Sequence, residues 1–261
     1  MTNKPRGLWI AGNWKMNHGP EETRSFFSAL KTLSQRDPVE LPSGVRVCLI
    51  PPAVSLERAL TFRKELSFPV EIAAQNAHWE KKGAFTGELS GPMLREIGIE
   101  WVLIGHSERR QYFGETDETV RKKTQSLIEQ GFNVILCVGE THAEREQGKT
   151  AAVLTRQMES AINSKNLVIA YEPVWAIGTG VAATAEQSEE THQFIRKNLW
   201  DRFGLEAAGR TPILYGGSVT PENARSFFEC PNIDGALIGG ASLKPENIVA
   251  FVRVARIATH S

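Results

Sequence analysis

Leu214-Tyr215-Gly216-Gly217-Ser218 leads to Pro221-Glu222-Asn223, and a little further on Leu237-Ile238-Gly239-Gly240 leads to Pro245-Glu246-Asn247. Each is a short apolar run, a Gly-Gly turn and then a Pro-Glu-Asn opening. The runs are too short for a core helix and read as strands. Pro221 and Pro245 sit where a first helical turn tolerates proline, with Thr220 as the expected cap of the first. The same strand–turn–helix unit therefore occurs twice in succession. Six similar runs precede the pair: Leu8–Ala11, Val45–Ile50, Val70–Ala74, Trp101–Ile104, Val134–Val138 and Leu167–Tyr171. They are near-continuously apolar rather than alternating, as parallel strands covered on both faces are. Helical periodicity fills the gaps at Ser25–Leu33, Val120–Ile128, 186–203 and from Ile248 to Ala255, where Ile248, Phe251, Val252 and Ala255 mark one face. Eight strands alternating with helices predict an α/β fold, a (β/α)8 barrel. An open, doubly wound sheet has the same alternation and is the rival. No linker divides the chain, so residues 1–261 are expected to form one domain.

Thirty basic side chains balance thirty acidic ones. A nucleic-acid surface leaves a basic excess, so that class of partner is not expected. An anionic ligand must then be caught by local geometry rather than by the field of the whole molecule. Polar residues interrupt the first apolar run, so neither a signal peptide nor a membrane span is predicted. Cys48, Cys137 and Cys230 lack CxxC spacing, and two lie inside apolar runs, which argues for reduced thiols in a cytoplasmic protein without a metal site.

Paired glycines let backbone N–H groups converge on an anion with no side chain in the way, and a following helix start adds its dipole. In a barrel these two turns would end the seventh and eighth strands, where phosphate sites are frequently built. The alternative is two tight turns that need glycine for positive φ. Other strand ends carry polar groups that their own runs do not explain: Asn13 and Lys15 after the first, His106 and Glu108 after the fourth, Glu172 after the sixth, Ser218 after the seventh. Parallel strands in a barrel point all of these to one rim, so an active site is expected there. Beyond Glu172, Pro173-Val174-Trp175-Ala176-Ile177-Gly178-Thr179-Gly180 has a stiff end, a glycine end and an apolar middle, the pattern of a loop that covers a site.

Five stretches, in order, resemble the signatures of the triosephosphate isomerase family. They are 12–17 (Gly-Asn-Trp-Lys-Met-Asn), 104–110 (Ile-Gly-His-Ser-Glu-Arg-Arg), 170–180 around Glu172, 215–219 and 235–243. The resemblance runs from about Leu8 to Val252 and implies a TIM barrel that interconverts dihydroxyacetone phosphate and glyceraldehyde 3-phosphate without a cofactor. It implies Glu172 as the base, His106 as a neutral electrophile, Lys15 and Asn13 as stabilisers of the enediolate, and Glu108 as an accessory carboxylate. Gly178, Ser218, Gly239 and Gly240 would hold the phosphate, and Pro173 to about Ala183 would form a mobile lid. Burial under Trp175 and Ile177 would raise the Glu172 pKa. Gln75-Asn76 and 83–88 match the family's inter-subunit loop, so a homodimer through the region Gln75–Glu88 is implied, with Phe85 as an interface anchor. Two competing signals are set aside. Gly178 to Ala183 fits G-x-G-x-x-A but does not follow its strand directly, and Cys137 has no assigned base, so packing is expected for it.

Overall fold

The apolar runs form eight parallel strands in the computed structural model, which describes residues 6–38, 40–176 and 183–260. They are β1 (Leu8–Asn13), β2 (Val45–Ile50), β3 (Glu71–Ala74), β4 (Trp101–Ile104), β5 (Asn133–Val138), β6 (Leu167–Tyr171), β7 (Ile213–Tyr215) and β8 (Gly235–Ile238). Each pairs with the next, and β1 also pairs with β8, so the sheet closes and the open-sheet rival is excluded. The longest register is between β1 and β2, from Leu8 opposite Val45 to Asn13 opposite Ile50. The pairing of β7 with β8 is slighter, with Tyr215 opposite Ala236 its one registered pair.

Closure explains why the runs are near-continuously apolar; Arg46 of β2 and Glu71 of β3 interrupt them and pair with each other at 3.2 Å. Along β1, Leu8 and Ile10 face the helices while Trp9 and Ala11 face the barrel axis. The interior holds Cys48, Cys137, Ala170 and Leu237 in its layers, with Trp9 edge-on to Trp101 at 4.8 Å. Outside, Phe26, Phe27 and Leu30 of helix Pro20–Arg36 pack against the sheet beside Trp14. Burying one such side chain fully stabilises the fold by about 1.5–3 kcal/mol.

Helix boundaries follow their caps. Thr116 opens helix Asp117–Glu129 and Thr184 opens helix Ala185–Arg210, each accepting an amide N–H on its side-chain oxygen. The latter runs past the expected end at Phe203, broken at Gly204, whose φ of 86° only glycine adopts easily. Pro245 does open helix Pro245–His260. Pro221 does not open a helix. Residues 221–223 form a turn and the helix is Ala224–Phe228; the Ala224 N–H donates to the Thr220 carbonyl and Asn223 Oδ1 accepts the Thr220 N–H, while the Thr220 side chain bonds Glu222 and so is not the expected cap. Among the described residues no helix is long and apolar enough to cross a membrane.

Candidate active site

All the strands deliver their C-terminal ends to one rim. Asn13 is the last residue of β1 and is buried. Its Oδ1 accepts the N–H of Lys15 at 3.0 Å. Lys15 itself has φ of 53°, left-handed backbone that costs a non-glycine residue on the order of 1–2 kcal/mol. Surrounding bonds hold it there, including Gln75 Nε2, which donates to the Lys15 carbonyl at 2.7 Å and to that of Ile50 at 3.0 Å. The ammonium pairs with Glu108 Oε1 at 2.7 Å, and a Cβ placed on Gly239 would lie 3.9 Å from Nζ. Lys15 therefore lies between the β4 loop and the β8 turn.

His106 precedes helix Ser107–Tyr112. Its Nδ1 accepts the Glu108 N–H at 3.2 Å, and Nε2 lies 2.9 Å from Glu172 Oε1. A ring whose Nδ1 accepts an amide proton carries its own proton on Nε2, which then donates to Glu172. Glu172 follows β6 directly and is buried; its Oε2 accepts the Ser107 N–H at 2.9 Å and Oε1 lies 3.4 Å from Ser107 Oγ. Cys137, inside the barrel below it, also hydrogen-bonds the carboxylate. Burial alone would raise the Glu172 pKa, as the sequence reading expected. The charge and hydrogen bond of His106, then the Ser107 amide, outweigh it and hold the carboxyl below the usual range. In return, burial lowers the His106 pKa but Glu172 raises it further, so the net direction is upward. That pull is opposed by geometry, since a second ring proton on Nδ1 would face the Glu108 N–H. The bonded arrangement is neutral imidazole beside carboxylate.

Opposite these groups stand the two Gly-Gly turns. None of Gly216, Gly217, Gly239 and Gly240 has positive φ, so a need for positive φ is not why glycine is there. A Cβ on Gly217 would overlap the Tyr215 ring, whereas around Gly240 nothing lies within 4 Å. Asn13, Lys15, His106 and Glu172 thus face Ser218, Gly239 and Gly240 across one cavity of about 190 Å³. Glu108 reaches it through Lys15. Gly178 and the greater part of the covering loop lie outside the described residues. Phe85 is 42% exposed and rests on His78, with ring centres 4.2 Å apart.

Three neighbours were given no role in the site by the sequence. Ser107 holds Glu172 through two groups, Gln75 fixes Lys15, and fully buried Glu140 accepts from Tyr171 Oη and Trp175 Nε1, each at 3.1 Å. Gln75 and Glu140 follow the ends of β3 and β5, so the strand-end rule that found His106 would have found both.

A closed barrel with a carboxylate, an imidazole and an ammonium gathered at the C-terminal rim is a (β/α)8-barrel enzyme. The profile of the family described as triosephosphate isomerase matches residues 8–255. Proteins named triosephosphate isomerase from Solibacter usitatus and Acetivibrio thermocellus are each 48% identical, covering 93% and 96% of this chain and 97% and 98% of their own lengths. One from Aquifex aeolicus is 45% identical over 93% of this chain and 97% of its own. The chain belongs to the triosephosphate isomerase family.

Proposed function

We propose that the chain interconverts dihydroxyacetone phosphate and glyceraldehyde 3-phosphate, an aldose–ketose isomerisation of glycolysis, with Glu172, His106, Lys15 and Asn13 as the groups that act on the triose. One observation carries the assignment of roles: His106 Nε2 and Glu172 Oε1, 2.9 Å apart, line the same small cavity as the Gly-Gly turns. Ser218, Gly239 and Gly240 take the phosphate through backbone N–H groups, and Gly178 completes that set from the covering loop. With the phosphate seated there, the three-carbon end reaches His106 and Glu172.

Glu172, ionised at neutral pH, removes a proton from the carbon beside the carbonyl. The Nε2–H of His106 turns from Glu172 to the substrate oxygen where negative charge develops, and Lys15 with Asn13 stabilises the enediolate. Preorganised donors of this kind supply about 2.7–4 kcal/mol each. The same turn of His106 withdraws the hydrogen bond that lowers the Glu172 pKa, so the base strengthens as the substrate binds. Glu108 keeps the ammonium aimed into the cavity. Glu172 then returns the proton to the neighbouring carbon.

A coupled isomerase assay on the wild-type chain and on Glu172→Gln tests this. The expected loss is about 10²–10⁴-fold in kcat, the contribution of a general base; equal rates would overturn the assignment. We further read residues 1–261 as one domain of a cytoplasmic enzyme that works without a cofactor. It pairs with a second copy through the loop around Gln75–Glu88, where exposed Phe85 is the anchor. Sedimentation of the wild type as a dimer, and of Phe85→Asp with a larger monomer fraction, is expected; a wild-type monomer at micromolar concentration refutes the pairing.

A further inference from the structure

The Pro-Glu-Asn that follows each Gly-Gly turn is a repeat that the two helices do not account for. Asn223 occupies the N-cap position of helix Ala224–Phe228, yet among the described residues its side chain caps nothing there. It reaches back instead: Oδ1 accepts the Thr220 N–H at 2.8 Å and Nδ2 donates to the Ser218 carbonyl at 3.3 Å. Asn247, in the first turn of helix Pro245–His260, does the same at the other turn, its Nδ2 donating to the Ala241 carbonyl at 2.8 Å. Among the described residues that line the small cavity are Ser218 and Ala241 but neither asparagine. Both asparagines are half-buried, behind the wall that their amides hold.

These bonds bear on where the backbone N–H groups point. A trans peptide is planar, so its carbonyl and its N–H face opposite ways. Asn247 holds the 241–242 peptide, whose N–H, on Ser242, donates to the Gly239 carbonyl at 2.9 Å. The Ser242 hydroxyl adds a second bond to that carbonyl at 2.7 Å. With the Gly239 carbonyl turned to Ser242, the Gly240 N–H of the same peptide faces the other way. Asn223 ties down Ser218 on its carbonyl side, together with the Thr220 N–H. Glycine turns have little stiffness of their own, and a chain of zero net charge gathers no anion by its overall field. We propose that Asn223 and Asn247 are positioning residues for the phosphate, each tying its turn from behind so that the N–H groups of Ser218, Gly239 and Gly240 stay converged on the anion. They set affinity and leave the chemistry at Glu172 and His106 alone. This inference rests on the isomerase reading above and deepens its phosphate site.

The test compares wild type with Asn223→Ala, Asn247→Ala and the double variant, each checked by urea unfolding. Calorimetry with inorganic phosphate gives Kd without turnover, and a coupled assay splits KM from kcat. Each single variant should raise Kd and KM about 3–10-fold, the effect of losing a typical hydrogen bond, with kcat within about two-fold of wild type. The double variant should multiply the two factors, because the turns are held separately. Asn223→Ser and Asn247→Ser, too short to reach the same carbonyls, replace any alanine variant that does not fold. A merely structural role would lower the unfolding free energy and leave Kd and KM of the folded enzyme alone. Unchanged Kd and KM in the folded single variants, or a fall in kcat as large as the rise in KM, overturns the proposal. Wild type that binds phosphate but does not isomerise the triose overturns the isomerase reading instead.

Discussion

Gly139→Ala is a sharp test of how Glu172 is positioned, although Gly139 touches no substrate. A Cβ at this position would lie 1.7 Å from the carbonyl oxygen of Glu172, where contacts under 3.0 Å essentially never occur. Something must yield by more than an ångström. Gly139 itself is clamped, because Gln157 Oε1 accepts its N–H at 2.7 Å and Gln157 Nε2 donates to its carbonyl at 3.1 Å. The Glu172 carbonyl then gives way, pulling on the peptide before it, whose N–H donates to Val138 and whose carbonyl accepts from Gly216, each at 2.7 Å. Misplacing a reacting group by about 1 Å costs on the order of 10²-fold, or about 2.7 kcal/mol of transition-state stabilisation. The overlap should also cost about 1–3 kcal/mol of stability. We expect kcat to fall about 10²-fold, with KM changed little because the anion turns are untouched. Gly240→Ala is the control: nothing lies within 4 Å, so the fold accepts the methyl, which instead stands in the cavity and raises KM. A coupled assay with urea unfolding of both variants separates them. Wild-type kcat in folded Gly139→Ala would refute the reasoning.

Two further outcomes are expected. Asp234 is fully buried between Arg6 (2.8 Å) and Arg196 (2.6 Å) and accepts the Ile213 N–H; Asp234→Asn should lower unfolding free energy by about 3–5 kcal/mol with KM unchanged, since it lies at the opposite end of the barrel from the site. A KM shift as large as the stability loss would contradict that separation. Burial pushes the His192 pKa down from 6.5 to about 4. Below pH 6.5 the unfolded chain takes up a proton that the folded chain refuses until about 4, so stability falls through that window as pH is lowered. The loss is at most roughly 3 kcal/mol, and His192→Phe should flatten it; parallel pH slopes would argue against this burial.

The strands were legible because both faces of a closed parallel sheet are apolar, which leaves runs such as Val134–Val138 without alternation. Closure was not legible, since Trp9 facing an axis and Trp9 facing a helix are the same letter. Pro221 misled because the segment it opens is a turn, closed by the Ala224 N–H on the Thr220 carbonyl, and the regular helix begins only at Ala224. At the rim, residue types and strand ends placed Asn13, Lys15, His106 and Glu172 correctly in one cavity. What the letters did not carry was the sense of the Glu172 pKa. Burial under apolar groups argued upward, but the Ser107 amide and His106 ring reach the carboxylate from β4, and only folding brings that loop to β6.

Asp234 also says something about when the barrel can be finished. Its side chain grips Arg6, 228 positions earlier, and its carbonyl accepts the N–H of Trp9, so the seam between the last strand and the first is made of residues from opposite ends of the chain. On a ribosome adding about 5–20 residues per second, the first strand waits on the order of ten to fifty seconds for its second neighbour. Throughout that interval β1 has one unpaired edge exposed to other chains. Vectorial synthesis can build the wall, but the ring is joined only after the final β-strand has left the exit tunnel, and any message cut short before Gly235 leaves an open edge that invites aggregation.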